Sequence, residues 1–144
     1  MKKLASIIFV ALILQGCATS IITPEQRTQA KFRLPEIEQN QAQVCFVREG
    51  SFMCAPWEPD IKENGQIIGI LKNGSYFCHN TNNGHHTFVA STLLDYDRKI
   101  SMTLAKNTRS FVRYSIKMGP VSGNGKLEEI DELSALNKIY SIGK

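Results

Sequence analysis

The chain has 144 residues and a formal net charge of +4, and 42% of its residues are hydrophobic. This length and composition suit one globular domain that buries roughly two-thirds of its unfolded surface. Basic and acidic residues are interspersed, as in Lys126-Leu127-Glu128-Glu129, so no basic stripe of sequence could follow a phosphate backbone. We therefore expect no nucleic-acid partner.

The first 17 residues predict export and anchoring. Met1-Lys2-Lys3 is a short positive segment, and Leu4–Leu14 is an uncharged apolar run of 11 residues. A bilayer span needs about 20 residues, whereas the apolar region of a signal peptide needs about 7–15. Leu14-Gln15-Gly16-Cys17 then resembles the lipobox of bacterial lipoproteins, in which the chain is cut before a cysteine whose sulfur carries diacylglycerol. We predict a signal peptide at residues 1–16 and lipidation of Cys17. The alternative is a plain cleaved signal followed by an incidental cysteine.

Lipidation would also determine where the protein resides. Acyl chains on Cys17 would form a permanent anchor, because two or more lipid signals hold a protein stably on a bilayer. Ala18 follows the cysteine. By resemblance to Gram-negative lipoproteins, in which Asp at that position favours inner-membrane retention, Ala18 predicts the outer membrane. The expected partners are the membrane, through the lipid anchor, and an envelope protein in the periplasm or, second, at the cell surface.

Residues 17–41 are expected to be the lipidated cysteine and a tether. Thr23-Pro24-Glu25-Gln26 has the pattern of a capping box with proline at the first helical position, which predicts a short helix over Pro24–Lys31. Leu34-Pro35 then interrupts regular structure. The segment is either a spacer or an arm docked on the domain.

Residues 42–144 show the pattern of a β-sandwich domain. Asn-Gly occurs at Asn64, Asn73, Asn83 and Asn124, and it favours tight hairpins because both residues tolerate the positive φ of a type I′ turn. The predicted strands are Val44–Arg48, Asp60–Lys62, Gln66–Leu71, Tyr76–His79, His85–Ser91, Lys99–Leu104 and Ser110–Met118, with Lys126–Ile130 as a candidate last strand.

Periodicity indicates how these strands lie. The strands at Lys99–Leu104 and Ser110–Met118 alternate apolar and polar residues, so each has one buried and one wet side. Gln66–Leu71 is apolar on both sides and is expected at the centre of a sheet. About seven short strands predict an all-β, antiparallel sandwich. Asp131 is expected to cap a C-terminal helix over Glu132–Ile139.

Four stretches resemble the bacterial lipoprotein family known as domain of unknown function 2846. They are Val44–Arg48, Ile61–Gly69, Leu71–Phe77 and Gly84–Thr87. The resemblance covers roughly residues 42–136, although Asn83 stands where the family often has proline. It implies a compact sandwich of immunoglobulin or transthyretin-like type on an outer-membrane lipid anchor, and it implies no established activity.

Three cysteines remain once Cys17 is lipidated, which allows at most one internal disulfide in an oxidising compartment. Cys45 and Cys54 are nine residues apart and could form a cross-strand pair. A bond between Cys54 and Cys78 is the second alternative. The third is that all three cysteines stay unpaired and are buried as small hydrophobic residues.

His79, His85 and Cys78 are the candidates for a weaker alternative, a zinc or copper site. If Tyr76–His79 and His85–Ser91 formed a hairpin, His79 could face His85. Adjacent side chains point to opposite faces of a strand, so Cys78 and His79 diverge. We therefore expect no metal and no cofactor. His86 shares a face with Phe88 and Ala90 and is expected to be half-buried.

Catalytic motifs are missing from the sequence, which holds no Cys-x-x-Cys, Gly-x-Ser-x-Gly or His-Glu-x-x-His. Asp95, Asp97 and Arg98 are expected to form a solvated turn, and Trp57 is expected to cover one end of the core. No catalytic residue is predicted. The prediction is a non-catalytic envelope interaction module, with a periplasmic small-ligand or metal-binding lipoprotein as the alternative.

Overall fold

The computed structural model describes residues 21–93, 96–119 and 123–142. The predicted signal peptide, Cys17, Ala18 and Asp95 lie outside the described residues. Within them the elements are α1 Pro24–Phe32, β1 Ala42–Arg48, β2 Asp60–Glu63, β3 Gln66–Ile70, β4 Ser75–Thr81, β5 Gly84–Ser91, β6 Arg98–Leu104, β7 Arg109–Met118, β8 Gly123–Ile130 and α2 Glu132–Ile142.

The strands form two four-stranded sheets, so the predicted sandwich is confirmed. One sheet has the order β4-β1-β7-β8 and the other the order β3-β2-β5-β6. Neighbouring strands are antiparallel except β1 and β7, which pair in parallel. The candidate last strand is present as β8.

The main core lies between the sheets and is centred on Phe46 of β1. Its ring lies 5.3 Å from the rings of both Phe77 and Phe88, the first stacked and the second edge-on. Such an aromatic pair stabilises the fold by about 0.5–1.5 kcal/mol beyond the contribution of the apolar surface that it buries. Met102 and Leu104 of β6 are buried on the same face, as the alternation of that strand predicts.

A second core lies on the outer face of the first sheet, under α1 and α2. It joins Ile22, Ala30, Leu34, Cys45, Val47, Phe111, Ala135, Leu136 and Ile139. Because both of its faces are covered, every residue of β1 is buried. Parallel pairing with β7 places β1 inside its sheet, away from any edge.

The N-terminal segment is part of this packed body. The side chain of Thr23 accepts a hydrogen bond from Gln26 N and the side chain of Gln26 accepts one from Thr23 N, which confirms the predicted capping box. Ile22, Ala30 and Leu34 are buried against the sheet and α2. Of the spacer and the docked arm that the sequence leaves open, this packing favours the docked arm from Ile22 onward.

The predicted central position of Gln66–Leu71 is wrong. β3 is the end strand of its sheet, and Ile67 and Ile70 expose about half of their surface. Apolar residues on both sides of a strand show only that the strand is hydrophobic. They do not determine whether it has a neighbouring strand on one side or on two. Gly69 lies under Phe77, whose ring is 2.6 Å from where a Cβ would lie, so the ring of β4 covers this strand.

Of the four Asn-Gly pairs, Asn64-Gly65 closes a hairpin as predicted. Its residues have φ values of 51° and 79° and join β2 to β3. The pairs at Asn73 and Asn83 lie between strands of different sheets, and the pair at Asn124 lies within β8. The hairpin between Tyr76–His79 and His85–Ser91 that was considered for a metal site does not form, because β4 and β5 belong to opposite sheets.

Candidate functional site

The disulfide joins Cys45 of β1 to Cys78 of β4. These residues are direct antiparallel neighbours, and both side chains face the helical layer. The possible pairs of Cys54 with Cys45 or with Cys78 are thereby corrected. Residues 49–59 leave the first sheet and lead to the second, so they do not return beside β1. Cys54 is buried with a free thiol.

A buried carboxylate links the two sheets at the end near the Asn64-Gly65 turn. Glu63 of β2 is 8% exposed. Its Oε2 lies 3.0 Å from His79 Nε2 of β4, and its Oε1 lies 2.5 Å from His86 Nδ1 of β5. The hydroxyl of Thr81 donates to Oε1 at 3.3 Å. Each of these contacts joins side chains distant in sequence, so the cluster holds the sandwich together.

The other nitrogen of His86 also faces an acceptor, since Nε2 lies 2.8 Å from the carbonyl oxygen of Asn82. A carbonyl oxygen and an ionised carboxylate only accept hydrogen bonds. Both nitrogens of the ring therefore have a polar partner. The ring lies over Phe88 with centroids 6.0 Å apart, so His86 is half-buried as predicted and has a structural contact on every side.

The three residues considered for a metal do not come together. Cys78 has its sulfur in the disulfide, His79 turns to Glu63, and His85 lies exposed on the face of β5 opposite to His86. Among the residues that the structure describes, no group of three or more His, Cys, Asp or Glu side chains has a geometry that could hold a metal ion. The sequence does not predict a role for Glu63, because a glutamate just before a turn has no pattern that separates it from an ordinary surface residue.

The opposite end of the sandwich carries segments 49–59 and 71–74 and the described residues 92–93 and 96–97, which together we call the loop end. Arg48, the last residue of β1, is buried and fixes two of them. Its guanidinium donates to the carbonyl oxygens of Cys54 and Trp57 at 2.6 Å each and of Leu71 at 3.2 Å. Burial lowers the pKa of Arg48 from its ordinary value. The guanidinium nevertheless keeps its charge at neutral pH, so these hydrogen bonds are charge-assisted.

Further contacts tie the loop end to the sheets. Ser51 N donates to the Oδ1 of Asn73 at 2.9 Å, which joins the first two segments. The ring of Trp57 occupies the space beside Gly123, where a Cβ would lie 1.6 Å from Cζ3. Trp57 is half-buried against the start of β8, as expected for a side chain that covers this end of the core.

Large apolar side chains nevertheless point into solvent at the loop end. Phe52, Met53, Leu93 and Tyr96 each expose at least 70% of their surface. Leu93 also lines a cleft of about 210 Å³ with Pro56, Trp57, Glu58 and Thr92. The loop end therefore combines a backbone fixed by Arg48 with exposed aromatic and aliphatic side chains.

The fold is thus a two-sheet sandwich with a polar cluster around Glu63 at one end and, at the other, a loop end that exposes apolar side chains. Residues 38–126 match the family described as protein of unknown function (DUF2846), and the chain belongs to this family. An uncharacterized protein of Haemophilus influenzae is 29% identical over 131 residues, which is 89% of this chain and 75% of that protein. In the part of the chain that is described, no helix has the length and apolarity to cross a bilayer.

Proposed function

We propose that this chain is a lipid-anchored protein of the outer membrane whose sandwich is a non-catalytic interaction module. In this proposal the loop end contacts another envelope protein. The observation that carries it is the exposure of four large apolar side chains at this end of the sandwich, Phe52, Met53, Leu93 and Tyr96. Aromatic residues and Met are enriched in protein interfaces, where a few such side chains supply most of the binding energy.

The fixed backbone supports the same assignment. Arg48 donates to the carbonyl oxygens of Cys54 and Trp57 at 2.6 Å, so the segment that carries Phe52 and Met53 is held before binding. A surface that is already ordered loses less conformational entropy when it binds. An apolar loop without such support would have to be ordered by its partner.

The lipobox-like sequence supports the anchor. Five residues lead from Cys17 to Ile22, which is packed in the helical layer. An extended chain spans at most about 3.6 Å per residue, so a lipid on Cys17 would hold the sandwich within roughly 18 Å of the bilayer. Partners in the same membrane or just beneath it would then be within reach of the module.

Metabolic labelling tests the anchor. Cells that express the chain are fed radiolabelled palmitate, and the native chain is expected to take up label and to remain in the membrane fraction. Cys17→Ala should do neither. Absence of label in the native chain, or membrane retention of Cys17→Ala, would contradict lipidation at this residue.

A capture experiment with matched variants tests the loop end. Phe52→Ser with Leu93→Ser removes two exposed side chains there, and Ile67→Ser with Ile70→Ser removes two exposed side chains on the β3 edge. Partner recovered from detergent-solubilised envelope should fall about tenfold for the first pair, as expected when interface anchors are lost. The β3 pair should leave recovery unchanged. Loss with the β3 pair alone would assign the interface to the sheet edge and contradict the loop end.

A further inference from the structure

The two sheets leave an open side between β6 and β8. Each of these strands is the edge of its sheet, and they are not hydrogen-bonded to each other. On the other side of the sandwich, Phe77 of β4 closes over Gly69 of β3. The open side therefore holds a groove of about 380 Å³, which is within the size range of small-ligand sites.

Among the described residues, the lining of the groove includes four cationic residues and no acidic one. Arg98 and Lys99 come from β6, Lys117 from β7 and Lys126 from β8. Leu127, which is 8% exposed, supplies an apolar wall. Residues almost 30 positions apart in the sequence thus meet in one place, which explains why no basic stripe is visible along the chain.

The acidic group of Glu128 does not neutralise the charge of the groove lysines. Lys126 Nζ lies 2.6 Å from Glu128 Oε2, but the other oxygen of Glu128 accepts from Arg113. One carboxylate is thus shared by two cations, and Lys99 and Lys117 remain exposed at the groove. When positive charges line a concave site, the low-dielectric protein walls focus their electric field into it, which favours a bound anion.

We propose that this groove binds a phosphate ester, either on a lipid headgroup or on a soluble phosphorylated sugar. A phosphate group carries several acceptor oxygens, so it can take hydrogen bonds from lysine side chains of more than one strand at once. Leu127 would contact the carbon skeleton of the ester. The residues that line the groove differ from the exposed apolar residues of the loop end, and the proposal does not depend on the assignment of an envelope partner.

Nuclear magnetic resonance of the ¹⁵N-labelled full chain in micelles of an uncharged detergent tests the proposal. Glycerol 3-phosphate is added at constant ionic strength, and saturable shifts are expected at the amides of Lys99 and of residues 124–127. In a second series the micelles contain phosphatidylglycerol. Shifts in both series support a headgroup source, and shifts with glycerol 3-phosphate alone support a soluble ester.

Two charge-matched double variants separate a site from general attraction. Lys99→Gln with Lys117→Gln should weaken binding about tenfold, because two cations leave the groove. Lys72→Gln with Lys106→Gln removes the same charge from exposed positions outside it and should keep the native affinity. Equal weakening in both variants would overturn the proposal. So would the absence of saturation in the native chain below about 10 mM ester.

Discussion

Removal of the disulfide between Cys45 and Cys78 should cost this fold a large part of its stability. The bond closes a loop of 33 residues. In the chain-entropy model, closing such a loop stabilises the folded state by about 3.7 kcal/mol at 25 °C. Domains are stable by only about 5–15 kcal/mol, so the variant Cys45→Ala with Cys78→Ala should fold but unfold much more easily.

Urea unfolding of the purified chain measures the effect. With a urea dependence of about 2 kcal/mol per molar, the loss of 3.7 kcal/mol should lower the midpoint by about 2 M. Dithiothreitol should lower the midpoint of the native chain by a similar amount and should have no further effect on the double variant. Cys54→Ala is the control, since its free thiol lies outside the bond, and it should keep the response to dithiothreitol. The pairing would be refuted if Cys54→Ala abolished that response, or if the double variant kept it.

Three other substitutions test the packing of the two ends. Glu63→Gln removes the charge shared by two imidazoles and should lower the free energy of unfolding in urea by about 1.5–3 kcal/mol; an unchanged value would speak against the cluster. Arg48→Met leaves loop carbonyls without their donor, so it should speed hydrogen exchange in residues 49–59, and unaltered exchange would show that Arg48 does not fix them. Gly123→Val forces a side chain into the ring of Trp57 and should move the emission of this single tryptophan to longer wavelength, whereas a native spectrum would disprove the contact.

Local features of the fold could be predicted because their causes are local. Thr23 and Gln26 are three residues apart and form the capping box without help from the rest of the chain. The Asn64-Gly65 turn follows from the positive φ that these residues tolerate. Val112 and Tyr114 of β7 are buried on one face, as period-two alternation requires.

The order of strands could not be predicted, because it depends on which distant strands meet. β1 pairs in parallel with β7, more than 60 residues later, and its sequence carries no mark of that neighbour. The same missing information explains the errors at Cys45 and at β3. Cys45 finds Cys78 only once β4 lies beside β1, and β3 is an edge only because the sheet ends there.

The candidate sites were hidden for the same reason. Glu63 gains its role from His79 and His86, which reach it from two different strands. The loop end and the basic groove each collect side chains from three or more separated segments. The sequence indicates a β-sandwich and an export signal, whereas surface chemistry of this kind appears only when the sheets are assembled.

Photo-crosslinking in living cells tests the interaction module most directly. A photoreactive amino acid replaces Phe52, which is 98% exposed at the loop end, and in a parallel strain it replaces Lys106, an exposed residue of the β6–β7 turn. We expect light to produce one discrete protein adduct from position 52 and none from position 106. Failure to form an adduct at position 52, or the same adduct from both positions, would contradict a recognition surface at the loop end.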